Sequence, residues 1–207
     1  HHKHGEMALA FCLDFIEEDK NATLTNYAQF IDLCPAEEEA QIIEDSSWSC
    51  VHGVERWRNN CGCNSGKPGY HQLWRKPLRE ALDWLRDSVE VIFEREAIKV
   101  VKEPWKARNE YISIVLKRSD ENINHFLKDH ALTDASANRI LRIMEMQRHA
   151  MLMYTSCGWF FDEISGIETI QVMQYACRVI QLANQIGMVD LEEEFMKRLE
   201  TAPSNVA

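Results

Sequence analysis

The chain has 207 residues, 45 % of them hydrophobic and 27 % charged, enough to bury one sizeable core or two small ones. A formal net charge of −10 excludes the broad basic face that non-specific nucleic-acid binding needs. No apolar run approaches the roughly twenty residues of a membrane-spanning helix and no signal-peptide pattern opens the chain, so neither nucleic acid nor membrane is an expected partner.

His1-His2-Lys3-His4 comes first, with the character of a native loop; starting at His1 rather than Met fits a processed chain or a piece of a longer one. Leu9, Leu13 and Ile16 recur at helical spacing between Glu6 and about Glu18. Thr25 or Asn26 is placed to cap a short helix through Tyr27, Phe30 and Ile31 that stops before Pro35. Gln41 to Glu44 is the one short segment with the look of a strand.

From Trp74 onward the pattern is helical nearly to the end. Pro77 suits the first turn of a long helix with an inward stripe of Leu78, Leu82, Leu85, Val89 and Ile92. Pro104 opens the next, with Trp105, Ile112, Val115 and Leu116 inward, and Ser119 caps a third carrying Ile123, Phe126 and Leu127. Thr133 or Asp134 starts a fourth, with Ile140, Ile143, Met144, Met146 and Met151 inward. Ser165 with Glu168 has the spacing of a capping box before a helix with Ile170, Met173, Cys177 and Ile180 inward, and a last helix carries Leu191, Phe195, Met196 and Leu199. The expected fold is mainly α: a single helical domain over residues 1–207, with a loop-rich part at 1–75 and a helical bundle at 76–207.

Two stretches have a composition that a core does not require. The first runs from Asp45 to Cys63 and gathers Trp48, Cys50, His52, Glu55, Arg56, Trp57, Cys61 and Cys63 on Gly-rich backbone. Cys50, Cys61 and Cys63, with His52 nearby, have the ligand types of a zinc or iron–sulfur site, and Cys157 is the candidate for a missing ligand. The alternative is a set of free, packed thiols. Seven cysteines, an odd number without the spacing of a disulfide framework, suit a cytoplasmic setting. From His52 to Arg79 Glu55 is the only carboxylate, against six Arg and Lys residues, so this zone is locally basic and suits ion pairs or an anionic ligand.

The second stretch, Gln147 to Glu163, carries Arg148 and His149 in an apolar run and then Trp159, Phe160, Phe161, Asp162 and Glu163. The aromatics suit either a core or a ring-stacking platform. Asp162 and Glu163 are the residue type that glycoside hydrolysis uses in pairs, but neighbours in sequence point in different directions. No P-loop, Gly-x-Ser-x-Gly or Ser/His/Asp set is present.

The run His1 to Leu9, the Ser46-Ser47-Trp48-Ser49-Cys50…Trp57…Cys61-Gly62-Cys63 segment and Met153 to Asp162 together resemble the domain of unknown function 3536, the C-terminal half of a bacterial group related to glycoside hydrolase family 57. The resemblance implies a parent enzyme, a retaining glycoside hydrolase or glucanotransferase of α-glucans or oligosaccharides, whose catalytic carboxylates lie upstream of this chain in an N-terminal barrel. This chain would then line the sugar cleft and stabilise that barrel, with no catalytic residue of its own. His1 and His2 match the end of a family motif beside the sugar. Trp48, His52 and Trp57 are similar to a cleft-lining segment of branching-enzyme relatives, although Ser49 stands where those have Gly. On this reading Trp159 stacks on sugar too, and Glu55, Arg56, Arg148 and Asp162 supply polar contacts.

Overall fold

The computed structural model describes residues 3–132 and 135–206. His1 and His2, expected beside a sugar, and Thr133 and Asp134, expected to open a helix, lie outside the described residues. The chain divides into two compact units, His1–Glu44 and Asp45–Ala207. The described residues are mainly helical and contain no strand; Gln41 to Glu44 is irregular, and an isolated bridge joins Val101 and Ala131. Two hydrophobic residues and two polar ones there offer no partner strand to pair with, so the weak pattern has nothing to extend.

The first unit holds α1 (Gly5–Glu18) and α2 (Tyr27–Leu33). Asn26 caps α2, its side-chain oxygen accepting from the Gln29 amide at 3.0 Å. Neither helix buries a residue: Leu9, Leu13, Phe11 and Phe15 are exposed, as are Cys12 and Cys34. The helical period was legible, but the inward face expected at Leu9, Leu13 and Ile16 is not buried here.

The second unit is a bundle built on α3 (Arg75–Ala97), α7 (Ala137–Leu152) and α8 (Ile167–Gly187), with α9 (Glu192–Leu199) packed on α3. All five stripe residues of α3, Leu78, Leu82, Leu85, Val89 and Ile92, are buried. Each full burial of this kind is worth about 1.5–3 kcal/mol, which is why a strict i, i+3/i+4 stripe fixes the rotation of this helix.

The helix expected after Pro104 is divided at Tyr111 into α4 (Pro104–Glu110) and α5 (Ile112–Leu116). Of the latter only Ile114 is buried, while Ile112, Val115 and Leu116 face outward. Tyr111 explains the break: its ring is buried edge-on against Phe126, and its hydroxyl donates to Glu145 at 2.6 Å, so the chain turns around it. Trp105 is partly exposed, its ring edge against Phe93. In α6 (Asp120–His130) Ser119 is the cap, accepting from the Asn122 amide.

In α7, Ile140, Ile143, Met144 and Met146 are buried as the spacing predicts, but Met151 is half exposed. The capping box at Ser165 and Glu168 does not form: Gly166 is the cap residue, and the Ser165 amide donates to the Glu163 carboxylate instead. In α8 the buried face is Thr169, Val172, Ala176, Val179, Ile180, Leu182, Ala183 and Ile186; of the residues expected inward Ile180 is on it and Met173 packs partly buried against the core, while Ile170 and Cys177 are exposed. This helix has apolar residues on several sides, and the side it buries, which includes the small Ala176 and Ala183, is set by packing against its neighbours, α7 foremost. At one end of the bundle Glu96, nearly buried, accepts from Arg95, Lys99 and Arg139. Burial pushes its carboxyl up, but the hydrogen bonds from Lys99 and Arg95, with Arg139, bring it below the usual glutamate range.

Candidate metal centre

Residues 45–74 lead into α3 as irregular backbone with one short 3₁₀ turn, Glu55–Trp57. The path is set by glycines. Gly53 has φ +72°, and a Cβ there would strike the carbonyl oxygen of Asp45; Gly62 has φ +80° between two cysteines. Those left-handed positions are open to glycine without steric cost, and they fold the Cys50–His52 pair back toward the Cys61–Cys63 pair.

The result is a cluster of four side chains, Cys50, His52, Cys61 and Cys63, whose ligand atoms all lie within 4.8 Å of one another. Cys50 Sγ is 3.7 Å from Cys61 Sγ and 3.9 Å from His52 Nδ1, and Cys63 Sγ is 3.5 Å from the same nitrogen. Cys50 is buried, the other two thiols are half-buried and His52 is at the outer edge. Burial pushes the Cys50 thiol up, but the amides of Arg56 and His52 and the His52 and Cys61 side chains outweigh it and bring it down to about 7. Burial pushes the Cys61 thiol up; the Cys63 amide opposes this, while the neighbouring thiols add to it.

Cys157 is not in the cluster. It is exposed in a second 3₁₀ turn, Ser156–Trp159, and His52 takes the fourth place that Cys157 was expected to fill. The signal was present in the sequence as matched pairs, Cys50-x-His52 and Cys61-x-Cys63, each able to bring two ligands to one side of a turn.

The residues expected to face a sugar are divided between surface and interior. Trp48 is 91 % exposed and stacks on Phe160, ring centroids 5.9 Å apart and planes inclined by 30°. Trp57 is half-buried, its indole N–H donating to the Ser156 carbonyl at 2.9 Å. Glu55 lies 4.0 Å from Arg58. Arg148 sits on α7, bonded to Glu145.

Three others are used inside the protein. Trp159 is 1 % exposed, with no ring face open to solvent. Arg56 is buried, donating to the Phe160 carbonyl at 2.9 Å and lying over the Phe160 ring. Asp162 is buried and accepts from the Ser65 amide at 2.7 Å, the Ser65 hydroxyl at 2.8 Å and the Lys67 amide at 3.0 Å. Burial pushes its carboxyl up, but these donors and the Arg75 charge take it below the usual aspartate range.

Arg75, expected only as one of the six cations of the basic zone, is wholly buried; it donates to the Cys63 carbonyl at 2.6 Å and to the Phe160 and Phe161 carbonyls. Composition revealed only a locally basic zone, without marking which of its cations would go inside.

These features define a helical bundle with a thiol- and imidazole-bearing segment fastened to its 156–162 loop. The family described as a domain of unknown function, DUF3536, matches residues 70–207, and the chain belongs to it. The four ligand-type residues precede the matched region. No curated protein and no solved structure matches the chain. Among the described residues no helix is long and apolar enough to cross a membrane.

Proposed function

We propose that segment 45–74 is a metal-binding module in which Cys50, His52, Cys61 and Cys63 hold one ion, and that the ion locks the two turns of this segment together in the form that Arg56, Trp57 and Asp162 fasten to the helical bundle. The observation that carries this reading is the convergence of four ligand-type side chains from two separate turns to within 4.8 Å. Four protein ligands fill a tetrahedral ion, leaving no open position for a substrate, so the role is structural rather than catalytic. A reducing, cytoplasmic setting would keep the thiols available as ligands.

The test is elemental analysis of the purified chain beside thiol labelling. About one metal ion per chain is expected, with Cys50, Cys61 and Cys63 protected and the exposed Cys12, Cys34, Cys157 and Cys177 modified. A chain that takes up no metal after anaerobic reconstitution, with all seven thiols reacting alike, refutes it.

A second reading places this domain in a glycoside hydrolase family 57-like enzyme, beside an N-terminal catalytic part of the same parent chain and an α-glucan or oligosaccharide. It is supported by the motif resemblance and by one specific feature, the 91 % exposure of Trp48. Sugars bind by stacking on such rings. In the full-length parent, Trp48→Ala is expected to raise the KM for oligosaccharide severalfold with little change in thermal stability. An unchanged KM counts against this role for Trp48.

A further inference from the structure

We infer that the ion is a single Zn²⁺ held as an anionic centre of three thiolates and one imidazole, and that the buried guanidiniums of Arg75 and Arg56 are the positioning residues that favour this charge state. The inference rests on the metal reading above and adds the identity of the ion and the residues that select it.

Geometry argues first. Zn–S bonds of about 2.3 Å and Zn–N bonds of about 2.0–2.1 Å give tetrahedral edges of roughly 3.8 Å between sulfurs and roughly 3.6 Å between sulfur and nitrogen. Three of the six edges here are 3.7 Å for Cys50–Cys61, 3.5 Å for Cys63–His52 and 3.9 Å for Cys50–His52, and all six are within 4.8 Å. One ion fits once the longer edges close by up to about 1 Å. An iron–sulfur cluster spreads its ligands around several iron atoms and inorganic sulfides, and four ligand atoms within 4.8 Å of one another leave room for one metal atom only. A tetrahedral set mixing thiolate with imidazole is the donor set of structural zinc.

Charge argues second, and independently. Arg75 and Arg56 are both buried and share the Phe160 carbonyl, so two cations face each other out of water. Their hydrogens go to carbonyl oxygens, which solvate a cation without neutralising it, and the Nε of each is buried without a protein acceptor. Asp162 is the buried carboxylate beside Arg75, and it offsets one of the two charges. Burying an unbalanced cation costs several kcal/mol. Three thiolates on a divalent ion with neutral imidazole carry one net negative charge, which balances the remainder. Arg75 is well placed to sense it, since its guanidinium donates to the Cys63 carbonyl at 2.6 Å, on the backbone that carries one of the thiols. The locally basic composition of residues 52–79 thereby gains a specific use: its two buried members are counter-ions for the metal centre.

The test is a zinc competition titration of the whole chain against a chromophoric chelator, with far-UV circular dichroism to establish folding. Zinc, not iron, is expected from metal-replete expression. Arg75→Gln is expected to weaken zinc binding at least about tenfold, and Arg75→Lys, which keeps the charge, to recover most of it. A purely structural role for the guanidinium fork would leave Arg75→Lys as weak as Arg75→Gln. Should Arg75→Gln not fold, Arg56→Gln removes the second charge without touching the Cys63 carbonyl, and it too is expected to weaken zinc severalfold. Zinc affinity within twofold of the parent in folded Arg56→Gln, or no rescue by Arg75→Lys, overturns the inference, as does a chain loaded with iron. These outcomes leave the metal reading standing. A parent chain that binds no metal at all removes both.

Discussion

Stripping the metal from the intact chain is expected to release residues 50–67 while leaving the helices of the bundle folded. The segment contains almost no regular hydrogen bonding, and its one 3₁₀ turn spans three residues. Its ordering entropy is therefore offset by a limited set of contacts: Arg56 and Trp57 on the 156–160 turn, Arg75 and Arg79 on the Cys63 and Trp57 carbonyls, the Ser65 and Lys67 donors on Asp162, and the cluster itself. An ion that binds the ordered loop and not the released one stabilises the ordered form by about 4 kcal/mol when present at a thousand times its dissociation constant. Amide exchange within the segment should then accelerate about a thousandfold on chelation, the same quantity read as an opening equilibrium. The core of α3, α7 and α8 does not include the ligands, so far-UV dichroism should change little. Segment amides that stay protected after complete metal removal would show that Asp162 and Arg56 hold the loop without help, and the module would have no structural need of an ion.

Trp159→Ala is expected to cost about 3–5 kcal/mol of unfolding free energy, the range for deleting a buried Trp side chain. Trp159 lies in the main hydrophobic core, its indole N–H donating to the Arg75 carbonyl at 3.3 Å. The turn that carries it is tightly seated. A Cβ on Gly158 would come within 2.5 Å of Val172 Cγ2, and the Thr169 hydroxyl donates to the Gly158 carbonyl at 2.6 Å. The same turn receives the Trp57 indole and leads directly to the carbonyls that hold Arg56 and Arg75. Losing the ring should therefore loosen the grip on segment 45–74 as well as the bundle. Trp159→Phe, which keeps most of the buried surface, should lose clearly less. A loss below about 1 kcal/mol for Trp159→Ala in chemical denaturation would contradict burial in a packed core and restore the stacking-platform role for this residue.

The sequence by itself determined the helical class, the stripe of α3 and the cap at Ser119, and it narrowed the cap of α2 to Thr25 or Asn26. These are short-range matters: a period of 3.6 residues and a side chain reaching its own helix end are fully specified within a few residues of chain. It also marked residues 45–63 as chemically unusual and identified the three thiols of the cluster. What only the tertiary structure decided is which of several acceptable partners each element takes. In α8 apolar residues occur on more than one side, and which of them is buried depends on the helices it packs against, α7 foremost. Tyr111 divides a continuous helical pattern because its hydroxyl finds Glu145, thirty-four residues away. Trp48 and Trp159 look alike as sequence, yet one is 91 % and the other 1 % exposed, since burial belongs to the neighbours rather than to the residue. Which side chain joins the three thiols in the cluster was decided in the same way. His52 and Cys157 are both chemically competent, and the turns at Gly53 and Gly62 bring only His52 to the thiols.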